Sequence, residues 1–119
     1  MATVNVIITK VNIFQGDTSH TAAWTPLTNT NTDGSPVEMP GSKKRCVQVT
    51  GTFGAGGSVR IQGSNDGSTY AALHDAQGNA LDITAAGIKE VLEVPRYIRP
   101  LVTAGDGTTS LTVTLMLAK

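Results

Sequence analysis

The second half of this chain alternates apolar and polar residues at period two and breaks the alternation with glycine turns about every ten residues. Val47 and Val49, Val59 and Ile61, then Leu111, Val113, Leu115 and Leu117 each mark one face of an extended segment. An extended chain sends successive side chains to opposite faces, so such a segment buries one face and leaves the other to water or a partner. Short strands with regularly spaced turns predict an all-β fold, an antiparallel β-sandwich or jelly roll, as a single domain. A sandwich is a scaffold, so function has to be sought in its surfaces and sites.

The turns can be placed from residue chemistry. Asn65-Asp66-Gly67, Gln77-Gly78-Asn79 and Gly105-Asp106-Gly107 combine side chains that tolerate left-handed backbone with the residue that adopts it freely. Residues 51–57, GTFGAGG, read as a flexible hairpin connection. The short segment 84–87 is the one helical candidate. Pro95 and Pro100 bracket Arg96-Tyr97-Ile98-Arg99, and proline donates no ladder hydrogen bond, so that strand is expected at a sheet edge or bulged at Pro100.

The first 44 residues divide differently. Residues 1–14 read as a strand or extended arm with Val4, Val6 and Ile8 on one face and Ile7, Val11 and Ile13 offset from them. That offset calls for a bulge near Ile7 and Ile8 or for burial on both faces. Residues 15–44 are rich in Thr, Asn, Ser, Gly and Pro, with Trp24, Leu27, Val37 and Met39 as the apolar points. A long loop-rich stretch in a compact domain is a binding feature. It is expected to hold a short strand near residues 22–27 and an exposed loop over 29–36, with the sandwich core in 45–119.

Composition narrows the function classes. The 119 residues carry nine basic and nine acidic side chains and no net charge. A protein drawing affinity from a phosphate backbone needs a basic excess, so nucleic acid is not expected as the main partner. Charged residues make up only 15% of the chain, below the usual quarter, and polar surface without charge suits a protein that rests on other protein. A single cysteine, Cys46, forms no internal disulfide and reads as a small buried hydrophobe. There is neither an eighteen-residue apolar run nor a basic-then-apolar export signal at the start, so no membrane partner and assembly in a reducing cytoplasm are expected.

No catalytic or cofactor motif emerges. The glycine run is followed by Ser58-Val59-Arg60-Ile61 rather than the Gly-Lys-Ser/Thr of a phosphate cradle. His74 and Asp75 are adjacent on an extended chain and face apart, and no Gly-x-Ser-x-Gly elbow is present. Asp66, Asp75, Asp82 and Asp106 lie near turns without EF-hand spacing, where a carboxylate ordinarily accepts turn amides. No enzyme, cofactor or dedicated metal site is expected. Lys43-Lys44-Arg45 is the one basic cluster, and Lys43 and Arg45 share a face on an extended chain. Trp24 is the sole tryptophan, suited to a core or to anchoring an interface. The candidate partner-binding residues are therefore Trp24, Lys43, Lys44, Arg45, Val4 and Val6.

Four segments, 61–70 (IQGSNDGSTY), 75–81 (DAQGNAL), 95–100 (PRYIRP) and 105–109 (GDGTT), resemble the small head decoration, or cement, proteins of tailed bacteriophages. The resemblance spans roughly residues 45–119. It implies a structural virion protein on the capsid exterior that forms homotrimers and clamps neighbouring major capsid subunits. The alternative is a tail or baseplate carbohydrate-binding adhesin domain, since SNDG followed by an aromatic also occurs in discoidin-like sandwiches. That reading needs Trp24 and Tyr70 exposed together, whereas a hydrolase needs His20 beside His74 and an acid in a cleft.

Overall fold

A computed structural model describes residues 3–11, 19–38 and 41–118. They form ten strands and, among the described residues, no helix. The strands are β1 (Ile7–Val11), β2 (Ser19–Leu27), β3 (Val37–Glu38), β4 (Lys44–Thr52), β5 (Ser58–Ser64), β6 (Ala71–Ala72), β7 (Asp82–Ile83), β8 (Gly87–Glu90), β9 (Tyr97–Ala104) and β10 (Ser110–Ala118). One sheet runs β1-β2-β10-β4-β8, the other β3-β9-β5-β6 with β7 also paired to β5, and all named pairings are antiparallel. The fold is a β-sandwich, as the alternation predicts.

The alternating residues close on each other between the two sheets. Val47, Val49, Leu111, Val113, Leu115 and Leu117 from the first sheet and Val59, Ile61, Ile98 and Val102 from the second are buried in one core, together with Trp24 and Leu27. Full burial of each such side chain contributes roughly 1.5–3 kcal/mol. The other parity of the same strands is left outside. Most connections cross from one sheet to the other, because neighbours in sequence such as β4 and β5 belong to different layers.

The glycine-rich link is one of these crossings, not a hairpin. Gly51 has φ +112°, and a Cβ there would press on the Ser110 carbonyl oxygen, so the bend admits only glycine. Thr109 locks the corner by donating its hydroxyl to Phe53 O at 2.7 Å and accepting the Asp106 amide at 2.9 Å. Residues 84–87 form a bend leading into β8, not a helical turn. β9 is interior, with β3 on one side and β5 on the other. The register shift on its β5 side lies at Ser58/Val59, not at Pro100. Proline is accommodated because its carbonyl accepts Gly34 N–H at 3.0 Å, on the side where the two-residue β3 has ended.

The described residues among the first 44 are integral to the sandwich. β2 is a nine-residue strand between β1 and β10, so residues before 45 contribute strands to the first sheet. Trp24 is 1% exposed, and its indole N–H donates to Ser35 O at 2.8 Å. The segment 32–36, expected as an exposed loop, runs beside β9, with an isolated bridge from Asp33 to Leu101 and with Gly34 against the indole ring. Val4 joins it through a parallel bridge to Gly34, and Val6 N–H donates to Ser35 Oγ at 2.8 Å. β1 pairs with β2 in unbroken register from Ile7↔Ala23 to Val11↔Ser19, with no bulge. Its two isoleucines are 58% and 50% exposed on opposite faces of an edge strand, so neither burial on both faces nor a bulge describes it. Ile13, Phe14 and Met39 lie outside the described residues.

Candidate docking face and its surroundings

Residues directly opposed across a sheet share a face, so the registers assemble the outer surfaces row by row. On the first sheet, Ile88 lies opposite Gln48, Gln48 opposite Thr114, Thr114 opposite Ala23, and Ala23 opposite Ile7. The next row is Glu90, Cys46, Met116, Thr21 and Thr9. The two rows span the whole sheet and contain one charge, Glu90, at the β8 edge. Thr25 and Thr112 extend the same surface with a hydroxyl pair at 2.8 Å.

The outer face of the second sheet has the opposite chemistry. Its rows are Glu38, Tyr97 and Ser64; Arg99, Gln62 and Ala72; and Leu101, Arg60 and Asp82. Two arginines there are paired with carboxylates, and a third is held by neutral side chains. Arg60 Nε donates to Asp82 Oδ1 at 2.7 Å, Arg96 Nε donates to Glu38 Oε2 at 2.5 Å, and Arg99 Nε donates to Gln62 Oε1 at 3.1 Å. The Arg99 guanidinium also stacks 3.9 Å from the centre of the Tyr70 ring. Hydrogen bonding to Asp82 raises Arg60, and hydrogen bonding to Glu38 raises Arg96, above the ordinary arginine pKa. This face engages its own charged side chains, whereas the outer rows of the first sheet are weakly polar and carry a single charge.

The sequence-derived candidates separate accordingly. Trp24 is a core residue because the 32–36 segment closes over its indole, so it is not an exposed anchor. Arg45 has the parity of Val47 and Val49 and points inward. It is 4% exposed, its Nε donates to Ser42 O at 2.7 Å and its Nη1 to Pro95 O at 3.2 Å, and burial lowers its pKa. The basic triplet is thus split, with Lys43 and Lys44 exposed and Arg45 tying the entry to β4 to the β8–β9 connection. Val4 and Val6 are half-buried against their own core. Cys46 has the outward parity and is only half-buried, and burial followed by the Glu90 charge raises its thiol pKa.

One constellation had no sequence signal. His74 and Glu93 are 19 residues apart, yet Glu93 Oε1 accepts the His74 backbone N–H at 2.7 Å and Glu93 Oε2 meets His74 Nδ1. Burial alone would raise Glu93, but the hydrogen bonds from the His74 ring and backbone outweigh it and hold the carboxyl below its usual range. The pair borders an open groove of about 500 Å³ that also contains Ser64. Ser64 is committed to the neighbouring turn, its hydroxyl donating to Asp66 Oδ1 at 2.8 Å and accepting Gly67 N–H at 3.0 Å. His20 lies in the other sheet, opposite Lys10 and Leu117. The pair therefore acts as a clasp on the β8–β9 connection.

The turn aspartates are likewise structural. Asp66 Oδ1 accepts the Ser68 and Thr69 amides, each at 2.8 Å, and these bonds hold its pKa at about 2. Asp106 accepts from the Thr108 hydroxyl and from the Ala55 and Thr108 amides and is also held at about 2. Asp75 caps Gln77 and Asn79, whose amides lower its pKa despite burial. Among the described residues no group of three His, Cys, Asp or Glu is arranged to hold a metal ion. Comparisons with known protein families, with curated proteins and with solved structures give no match to this chain.

Proposed function

We propose that this protein is a structural subunit that docks through the outer face of its β1-β2-β10-β4-β8 sheet onto a protein lattice, as a decoration protein on the exterior of a tailed-phage capsid. The observation that carries the reading is the asymmetry between the two outer faces: two full rows with a single charge on one, self-paired arginines and carboxylates on the other. Depletion of charge at the centre of a patch is the compositional mark of an interface core. The resemblance of residues 45–119 to phage cement proteins supplies the lattice, with the major capsid protein as partner.

Self-association as a homotrimer belongs to the same reading. Ile7 and Ile8 stand exposed on β1, whose free edge pairs with no described strand, and a neighbouring subunit would cover them. The adhesin alternative loses its requirement, because Trp24 is buried and the Tyr70 ring is covered by Arg99. A subunit that binds only the assembled shell stabilises it by mass action, about 2.7 kcal/mol per site at a hundredfold excess over Kd.

The test is co-sedimentation with expanded heads of the phage that encodes the chain, followed by thermal release of DNA. Thr114→Arg, in the middle of the uncharged face, should abolish binding while leaving the fold intact. Thr103→Arg, on the opposite face, should bind as the wild type does. Equal release temperatures for bare and saturated heads would remove the proposal.

A further inference from the structure

The docking face has a defined depression at one end, and its origin lies in the backbone. β8 follows β4 only as far as Glu90, opposite Cys46. The chain then turns away: Val91 N–H donates to Arg45 O at 3.1 Å and Leu92 N–H to His74 O at 2.9 Å, carrying it toward the second sheet. The buried Arg45 guanidinium fixes that departure through Pro95 O, and the His74–Glu93 clasp holds the connection from the other side. What remains is a notch of about 510 Å³ over Cys46, Met116 and Ala118, flanked by Leu92, which is 53% exposed.

Lys43 and Lys44 stand on the rim, and no carboxylate of the described residues lies within ion-pair distance of either. Glu90 stands on the other side. An apolar floor beside two unengaged ammonium groups is complementary to an aliphatic side chain followed by a carboxylate. It is a poor match to a phosphate backbone, because the rest of the face offers no basic track along which one could run. Nor does it suit a cationic segment, which the two lysines repel.

Resting on the docking reading above, we propose that this notch is the anchor pocket of the interface and takes an extended acidic segment of the partner protein. An aliphatic side chain of that segment sits over Met116 and Leu92, and its carboxylates face Lys43 and Lys44. The lysines steer the encounter and set the orientation, and the aliphatic contact holds the segment in place.

Cys46, in the notch, reports occupancy directly. The probe is a capped peptide alternating leucine and aspartate, set against the same peptide with lysine for aspartate. The readout is the rate of iodoacetamide alkylation of Cys46. Millimolar acidic peptide should slow alkylation several-fold at low salt. The protection should fade at about 1 M salt, where the screening length falls to about 3 Å, and it should vanish in the Lys43→Glu/Lys44→Glu variant. Lys43→Gln/Lys44→Gln should give an intermediate loss. Equal protection by both peptides, or none from the acidic one, would overturn the proposal. Because this test uses no capsid, protection by the peptide alongside failure to bind heads would sustain the pocket and remove the phage reading. Head binding without any peptide protection would do the reverse.

Discussion

Trp24 joins three parts of the chain that lie far apart in sequence, and replacing it should release all three. The indole is 1% exposed and donates to Ser35 O at 2.8 Å, and a Cβ on Gly34 would fall 2.5 Å from its Cδ1, so ring and backbone are in direct contact. The backbone it touches is tied in turn by Gly34 N–H to Pro100 O at 3.0 Å, Ser35 N–H to Val4 O at 2.8 Å and Val4 N–H to Asp33 O at 2.9 Å. Trp24→Ala removes the whole ring, a change that costs about 3–5 kcal/mol in a core. Trp24→Phe keeps a ring but forfeits roughly 40 Å³, about 1 kcal/mol at ~24 cal/mol per Å³. The hydrogen bond to a half-buried carbonyl adds about 1 kcal/mol.

For a domain of this size each kcal/mol moves the melting temperature by about 3–6 °C. The expected losses are therefore about 15 °C for alanine and about 8 °C for phenylalanine by calorimetry. Hydrogen exchange should show the Val4, Gly34 and Ser35 amides losing protection together in the alanine variant, while the β4–β10 ladder keeps its own. A fall of less than about 5 °C, or a larger fall with those three amides still protected, would refute the view that the indole fastens the N-terminal segment to the sandwich.

Two further outcomes follow from the loops. Asp66 and Asp106 have folded pKa values of about 2, below the ordinary 3.8, so the stability they contribute is present above about pH 4 and lost as the pH falls toward 2. Thermal melts from pH 5 to pH 2 should decline over that window, and an Asp66→Asn/Asp106→Asn variant should show a flatter profile; parallel curves would contradict the assignment. Gly51→Ala forces a side chain into φ +112° and onto the Ser110 carbonyl, and should cost about 2 kcal/mol or more in a denaturant melt. A neutral result would mean that the sheet-to-sheet corner is free to move.

Much of the architecture is local in origin and was therefore legible in the residues alone. Alternation marks its own buried parity wherever one face is covered, and Val47, Val49, Val59, Ile61 and the leucines of β10 all lie in the core. Gly67 and Gly78 adopt φ +79° and +86° in turns where the residue chemistry calls for a left-handed glycine. Arg45 is legible too, since it shares the parity of Val47 and Val49; grouping it with Lys43 and Lys44 as one partner-binding cluster conceals it. The single tryptophan was ambiguous, because a large amphipathic ring serves a core or an interface equally well.

Non-local pairing decided the rest. β2 and β10 are neighbours although more than eighty residues separate them, and only that adjacency places Thr114, Ala23 and Ile7 in one row. The strand parities fix which side chains face outward, but the order β1-β2-β10-β4-β8 turns those residues into a continuous surface nearly free of charge. The His74–Glu93 clasp and the notch beside Lys43 and Lys44 arise where β8 leaves one sheet for the other, a change of layer with no periodicity to announce it. A sequence states the chemistry of each strand, while the free energy of closing one core around all of them selects which chemistries become neighbours.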